Sequence, residues 1–130
     1  MAAGMTQVVA RRVARNASVE KLMTVVQVTE GDDSRTIHVR RGDTLAIALA
    51  ESPTTGFVWE MALARGCVVA AGSTFASSSD SGMLGSGGMH TFSFDVTADG
   101  DGRIELKLWR PWSGEASVSR RFALDVTATP

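Results

Sequence analysis

Cys67 is the only cysteine of this 130-residue chain, and His38 and His90 are its two histidines. A cysteine attacks as its thiolate, and a histidine can accept its proton. Cys67 is followed by Val68 and Val69, however, and burial in such an apolar run suppresses thiolate formation. One cysteine and two histidines also make a poor set of metal ligands. We therefore expect no catalytic residue, no metal and no cofactor.

Residues 52–57 form the first of three motifs whose residue types suit the binding of a protein. The motif is Ser-Pro-Thr-Thr-Gly-Phe. Pro53 fixes its own φ and Gly56 permits a positive φ, so the sequence predicts a stiff turn. This turn displays Thr54 and Thr55, whose side chains are narrow, stiff at χ1 and able to form hydrogen bonds. Such side chains suit a wedge that fills a cleft.

Two later motifs supply other residue types that are frequent in protein interfaces. Leu-Gly-Ser-Gly-Gly covers residues 84–88, and its glycines let the chain lie close enough to a partner for main-chain pairing. Arg-Pro-Trp covers residues 110–112, and arginine and tryptophan are common interface hot spots. Pro111 between them lowers the entropy lost on binding.

Short strands must position these motifs. Leu45, Ile47 and Leu49 alternate with alanines before the first motif, and a similar alternation runs from Phe57 to Leu63 after it. A period of two is typical of half-buried strands. Further strands are predicted at 24–29, 35–39, 67–71, 91–96, 103–109 and 118–127, with a long loop from Ser73 to Met89 and a turn at 99–102. Seven or eight such strands indicate an all-β, immunoglobulin-like antiparallel β-sandwich, with Trp59 in its core.

The order of these strands predicts where the motifs lie. The connections at 52–56, 77–89 and 110–116 are each separated by two predicted strands. In an up-and-down path, two strands return the chain to the end from which it started. We therefore expect the three motifs to project from the same end of the sandwich and to form one surface.

Composition limits the classes of partner. The apolar fraction of 44% and the charged fraction of 21% are typical of a globular protein. A net charge of −1 provides no basic field for nucleic acid or an anionic membrane. No apolar run approaches the roughly 20 residues that cross a bilayer. We expect a monomer that binds neither nucleic acid nor membrane.

Residues 1–21 differ from residues 22–130, which we predict to be the folded domain. The first segment contains Arg11, Arg12 and Arg15, and no acidic residue before Glu20. Apolar residues at helical spacing permit a basic amphipathic helix there, but the arginines would interrupt the apolar core of a secretory signal peptide. A targeting segment and a flexible extension both stay open, as do a cytoplasmic and an exported location.

Together, in this order and spacing, the three motifs resemble the signatures of the chagasin family of cysteine-peptidase inhibitors. Those signatures are Asn-Pro-Thr-Thr-Gly-Tyr/Phe, Gly-x-Gly-Gly and Arg-Pro-Trp/Phe. The resemblance covers about residues 22 to 130. Ser52 stands where the family usually has asparagine, and Met89 where a polar residue is frequent. These two departures bear on affinity and enzyme preference more than on function.

The resemblance implies an immunoglobulin-like fold and tight, reversible inhibition of papain-like cysteine peptidases such as cathepsins L and B. Thr54 and Thr55 would lie over the catalytic cysteine and histidine of the enzyme. Residues 84–88 would follow the non-primed subsites, and Arg110 and Trp112 the primed side. The implied peptidase-binding residues are Pro53, Thr54, Thr55, Gly56, Phe57, Leu84, Gly85, Ser86, Gly87, Gly88, Arg110, Pro111 and Trp112.

A sandwich with exposed tryptophans also permits a different function. Trp109 and Trp112 could serve as the platform of a binding module for a carbohydrate or a cell-surface partner. If the complete protein does not inhibit peptidases, only this alternative fits.

Overall fold

The computed structural model of the chain describes residues 7–13, 21–77 and 87–130. Nine strands lie within these ranges. They are β1 Gln7–Val13, β2 Lys21–Val28, β3 Arg35–Arg40, β4 Thr44–Glu51, β5 Val58–Gly66, β6 Val68–Ser77, β7 Gly88–Val96, β8 Gly100–Trp109 and β9 Arg120–Thr129. Short 3-10 turns cover Glu30–Asp32, Pro53–Thr55, Pro111–Ser113 and Glu115–Ser117.

The strands form two sheets that share one core. The first sheet has the order β1-β2-β4-β7-β6, and the second has the order β3-β9-β8-β5. Neighbouring strands are antiparallel except for the β2–β4 and β3–β9 pairs, which are parallel. The predicted all-β, immunoglobulin-like sandwich is confirmed, with two parallel strand pairs where antiparallel pairing was predicted. Nine strands replace the predicted seven or eight because β1 joins the edge of the first sheet.

Alternation along the strands places the apolar side chains between the sheets. Leu45, Ile47 and Leu49 of β4 are fully buried, as predicted. Burial of a side chain of this size contributes about 1.5–3 kcal/mol to folding. Trp59 is 3% exposed, and its indole N–H donates to the carbonyl of Ala50 at 2.9 Å. The core is completed by Val26, Val28, Ile37, Val39, Cys67, Val68, Phe92, Phe94, Val96, Ile104, Leu106, Phe122, Leu124, Val126 and Ala128.

Strand β5 departs from strict alternation in its middle. Its register with β8 shifts between Met61 and Leu63, which marks a β-bulge. An extra residue in one strand moves the side chains that follow to the other face. Leu63 follows the extra residue and is consequently opposite Glu105, while Ala64 is opposite the buried Ile104. The alternation predicted from Phe57 to Leu63 therefore ends at the bulge, and Met61, just before it, is 39% exposed.

Strands β6, β7 and β8 are longer than their sequences predict. β6 continues to Ser77 and β7 begins at Gly88, and these two residues are paired. The predicted loop from Ser73 to Met89 therefore shortens to residues 78–87, of which 78–86 lie outside the described residues. The predicted turn at 99–102 is in part strand, because Gly100 and Asp101 pair with β9. Pairing with a neighbouring strand outweighs the weak strand propensity of these polar and glycine residues.

The N-terminal segment contains a strand where the sequence permitted a helix. Residues 7–13 form β1, which pairs antiparallel with β2 along its whole length. The open edge of β2 provides backbone partners that an isolated short helix lacks. Residues 1–6 and 14–20 lie outside the described residues, and the division of the chain at residue 21 stays a prediction. In the part of the chain that the structure describes, no helix has the length and apolarity to cross a membrane.

Candidate functional site

The strand register brings the three motifs to one end of the sandwich. Glu51 at the end of β4 pairs with Gly88 at the start of β7. Val58 at the start of β5 pairs with Trp109 at the end of β8. The expectation of a common end is confirmed for the described parts of the three motifs. We call residues 52–57, 87–88 and 110–112 the loop surface; Leu84, Gly85 and Ser86 of the second motif lie outside the described residues.

The first loop is a 3-10 turn closed by its own hydrogen bonds. The backbone N–H of Thr55 donates to the carbonyl of Ser52 at 3.0 Å. The Thr55 hydroxyl donates to the same carbonyl at 2.7 Å and accepts from the N–H of Phe57 at 3.3 Å. Gly56 follows with φ +85°, which L-residues with a side chain rarely adopt. The sequence thus encodes a turn that is rigid before any partner binds.

The two threonines of this loop have different environments. The Thr55 hydroxyl is used within the loop, whereas no hydrogen bond among the described residues involves the Thr54 hydroxyl. Both side chains are exposed. The Thr54 hydroxyl is therefore available for a further hydrogen bond, whereas Thr55 mainly maintains the shape of the turn.

This difference predicts opposite effects for two matched substitutions. Thr55→Val keeps the shape of the side chain and removes two hydrogen bonds, so we expect the free energy of unfolding to fall by about 1 kcal/mol. Thr54→Val should leave that free energy unchanged. Urea denaturation of the two variants measures both values, and equal losses of stability would contradict the assignment.

The third loop is attached to the first through Arg110. Its guanidinium donates through Nε and one Nη to the carbonyl oxygen of Thr55 at 3.3 and 3.1 Å. The same group lies 4.3 Å from the ring centroid of Phe57, in cation–π geometry. The backbone N–H of Arg110 donates to the hydroxyl of Ser117 at 2.9 Å, which closes the third loop on itself. The first and third loops therefore form one connected unit.

Trp112 is the most exposed large apolar side chain described, at 74%. Its ring lies beside Gly56. A Cβ atom built on that glycine would be only 3.0 Å from the ring edge. The ring therefore extends the surface of the first loop. A large, exposed aromatic side chain on such a surface is typical of a binding anchor.

Close backbone approaches require the glycines that end the second motif. Gly87 has φ +82°, and a Cβ atom there would be 2.8 Å from Ser52 Oγ and 2.9 Å from the carbonyl oxygen of Glu51. A Cβ atom on Gly88 would overlap the carbonyl oxygen of Ala76 on β6. The second loop thus meets the first loop at its stem, and the fold alone gives these two positions a reason to be glycine.

A buried carboxylate lies beneath the loop surface. Glu51 is 7% exposed, and its Oε1 accepts the backbone N–H of Trp59 at 2.7 Å. The same oxygen lies 2.8 Å from Nδ1 of His90. This pair was not predicted from the amino-acid sequence, although the sequence contains a signal for it. Glu51 continues the inward series of Leu45, Ile47 and Leu49, and a carboxylate in an apolar series needs a buried partner.

Trp109 lies on the outer face of the second sheet, where its indole N–H and its ring both contact other side chains. Its indole N–H donates to Glu60 at 3.0 Å, and Lys107 Nζ lies 3.6 Å from the ring centroid. Lys107 also donates to Glu115 at 2.6 Å, which holds the pKa of that carboxyl below its usual value.

Within the described residues, no group of three or more His, Cys, Asp or Glu side chains could hold a metal ion.

Comparison with known proteins agrees with this geometry. The model of the chagasin family peptidase inhibitor I42 matches residues 38–126. The chain belongs to this family. Chagasin of Trypanosoma cruzi is 31% identical over 115 residues, which cover 78% of this chain and 96% of chagasin. The predicted membership of this family of peptidase inhibitors is thereby confirmed.

Two solved structures show the fold of the family. The cysteine protease inhibitor EhICP2 of Entamoeba histolytica superposes with a TM-score of 0.70 at 20% identity, over 82% of this chain and 97% of EhICP2. PbICP-C, solved in complex with falcipain-2, superposes with a TM-score of 0.53 at 15% identity, over 79% of this chain and 88% of PbICP-C. Both likenesses concern the fold alone.

Proposed function

We propose that the loop surface, together with residues 84–86, occludes the active-site cleft of a papain-like cysteine peptidase. The observation that carries this proposal is the connection between the first and third loops. Arg110 donates twice to the Thr55 carbonyl, and the ring of Trp112 lies against Gly56. A surface that is ordered before binding loses little conformational entropy when it binds.

Each loop has a physical reason for its proposed place in the cleft. Thr54 and Thr55 are narrow enough to enter over the catalytic cysteine and histidine of the enzyme. The second motif, 84–88, is suited to main-chain pairing along the non-primed subsites. Trp112 meets the primed side as an aromatic anchor. Three such loops bury roughly 800 Å² on each partner, the usual size for a protease–inhibitor pair.

The turn also explains how an inhibitor avoids being cut. Attack on a peptide bond requires the reacting atoms to approach to about 3–3.5 Å with aligned orbitals. The first loop is a 3-10 turn at Pro53–Thr55 rather than an extended strand. Its carbonyls at Ser52 and Thr55 accept internal hydrogen bonds. We infer that it presents no peptide bond in the geometry of a substrate.

We infer further that the chain is not itself a catalyst. Cys67 is 1% exposed, and burial raises the pKa of its thiol. Its carbonyl accepts the backbone N–H of Thr97, just beyond the end of β7, whereas His90 lies near the start of that strand. At roughly 3.4 Å per residue, Thr97 and His90 are about 24 Å apart. His38 lies exposed on β3, between the inward Ile37 and Val39.

Glu51, His90 and Ser73 form a hydrogen-bond chain in the order of a serine-hydrolase triad. This chain allows a test of the inference that the protein is not a catalyst. His90 Nε2 lies 3.2 Å from Ser73 Oγ, and His90 Nδ1 lies 2.8 Å from Glu51. A triad also needs donors aimed at a developing oxyanion, whereas Ser73 lies within the edge strand β6, paired with Phe92 just after a register shift between Ala70 and Gly72. We expect no hydrolysis of p-nitrophenyl acetate. Hydrolysis that Ser73→Ala abolishes would contradict the inference.

The test of the proposed function is a titration. Papain and a cathepsin L-type enzyme are incubated with increasing protein, and hydrolysis of a fluorogenic peptide is followed. We expect reversible inhibition at one inhibitor per enzyme, as for a monomer, with the inhibitor intact on electrophoresis. A folded protein that leaves both enzymes active at micromolar concentration would overturn the proposal and favour the carbohydrate or cell-surface alternative.

A further inference from the structure

The pair formed by Glu51 and His90 lies where two loops of the proposed surface leave the sandwich. Glu51 is the last residue of β4, directly before the first loop, and it pairs with Gly88, the first residue of β7 after the second loop. Its carboxylate points into the end of the core rather than into solvent, since its side chain is 5% exposed. A carboxylate in that position is costly unless it is fully paired.

The partners of this carboxylate connect both sheets. Oε1 accepts the backbone N–H of Trp59 on β5, which belongs to the second sheet, at 2.7 Å. It also lies 2.8 Å from His90 Nδ1 on β7, which belongs to the first sheet. A single oxygen atom therefore joins β4, β5 and β7 at the end that carries the loops. Hydrogen bonds to a charged group are stronger than those between neutral groups.

His90 is itself held on several sides. Its ring stacks on Phe92 at 4.3 Å between centroids and meets the edge of Phe75 at 6.4 Å. Nε2 lies 3.2 Å from the hydroxyl of Ser73 on the edge strand β6. The imidazole thus has one orientation, in which Nδ1 faces the Glu51 carboxylate. His90 keeps that carboxylate in place rather than leaving it to rotate.

We propose that Glu51, oriented by His90, is a positioning residue for peptidase inhibition. It fixes the stems of the first and second loops against β5 and so sets the distance between Thr54 and Gly87. This inference rests on the proposed function of the loop surface. Both side chains lie mostly buried beneath the loops, so we expect them to act through the loops.

The substitution Glu51→Leu tests the proposal. It keeps the volume and the apolar contacts of the side chain, but it leaves the Trp59 N–H and His90 Nδ1 without their acceptor. We expect Ki and the dissociation rate constant to rise about tenfold to a hundredfold. Glu51→Gln retains an acceptor oxygen for Trp59 and should restore both constants to within about threefold of wild type.

A matched destabilised variant separates positioning from stability. Val96 is buried at the opposite end of β7, at 2% exposure, so Val96→Ala lowers the melting temperature without touching the loop stems. We expect its Ki to equal that of the wild type at a temperature where both proteins are fully folded. An equal rise in Ki for Val96→Ala and Glu51→Leu would overturn the proposal, and so would a folded Glu51→Leu protein with the wild-type dissociation rate.

If Glu51→Leu does not fold, His90→Gln tests the pair from its other member. We expect Ki to rise in this variant, and a wild-type Ki would overturn the proposal.

A spectroscopic measurement distinguishes this inference from the function on which it rests. The backbone amide proton of Trp59, which donates to a carboxylate at 2.7 Å, should resonate strongly downfield in the wild type and move upfield in Glu51→Leu. Amide exchange at Thr55 and Gly87 should accelerate in the same variant. If the wild type inhibits no peptidase, the proposed function fails, while these measurements still show whether Glu51 positions the loops. Unchanged shifts and exchange would overturn that role.

Discussion

Replacing Trp112 by alanine is expected to raise Ki for a papain-like peptidase by roughly 30-fold to 1,000-fold. The side chain is 74% exposed in the free protein, so its removal takes little from the folded state. In the proposed complex the same ring would be buried against the primed side of the enzyme. Truncation of such an aromatic anchor typically costs about 2–4 kcal/mol of binding free energy. Active-site titration measures Ki, and thermal unfolding checks that the melting temperature is unchanged.

Trp109→Ala is the control for this experiment. Trp109 is also a tryptophan of the same loop end, but its ring face is covered by Lys107 and its N–H is bound to Glu60. We expect its replacement to change Ki by less than about threefold, the range of near-neutral rim contacts. Trp112→Ala with a wild-type Ki would remove Trp112 from the interface. A larger loss for Trp109→Ala would instead favour a binding platform on the outer sheet.

Most of the fold follows from the amino-acid sequence because alternation is a local signal. The series Leu45, Ile47 and Leu49 predicts β4 and its buried face without reference to any other strand. The bulge after Met61 was not predictable in this way, since it depends on the register between β5 and β8. Strand β1 was missed for the same reason. Its residues fit a helix or a strand equally, and only the open edge of β2 decides between them.

For the candidate site too, local features were predictable from the sequence and contacts between distant segments were not. The motifs identify which loops matter and, through the strand order, that they share one end. They do not reveal which side chains stabilise the loops by hydrogen bonds within the free protein. The Thr55 hydroxyl accepts and donates within its own turn, and the Arg110 guanidinium is bound to a carbonyl 55 residues away in sequence. Such contacts depend on the distance between loops, which sequence spacing does not determine.

Arg110→Ala is expected to raise Ki by about tenfold to a hundredfold, because two hydrogen bonds from a charged group are lost together with the contact to Phe57. The guanidinium already binds the Thr55 carbonyl in the free protein. Its removal should therefore increase the motion of the first loop before any enzyme is present. A loop that is only partly in its binding conformation binds more weakly by that fraction. We expect faster amide exchange at Phe57 and a lower association rate constant.

This outcome separates two roles for Arg110. If its main role were a direct contact with the primed side of the enzyme, the free protein would be unchanged and only the dissociation rate constant would rise. Arg110→Lys sharpens the test, because a lysine keeps the charge but cannot match the planar, multi-donor geometry of the guanidinium. Arg41→Ala at the turn between β3 and β4, where Arg41 pairs with Asp99 at 3.4 Å, controls for the change in net charge. Unaltered amide exchange in Arg110→Ala, with a raised dissociation rate, would assign Arg110 to the interface. Accelerated exchange together with slower association would show that the inhibitor depends on this arginine to order the first loop before the enzyme arrives.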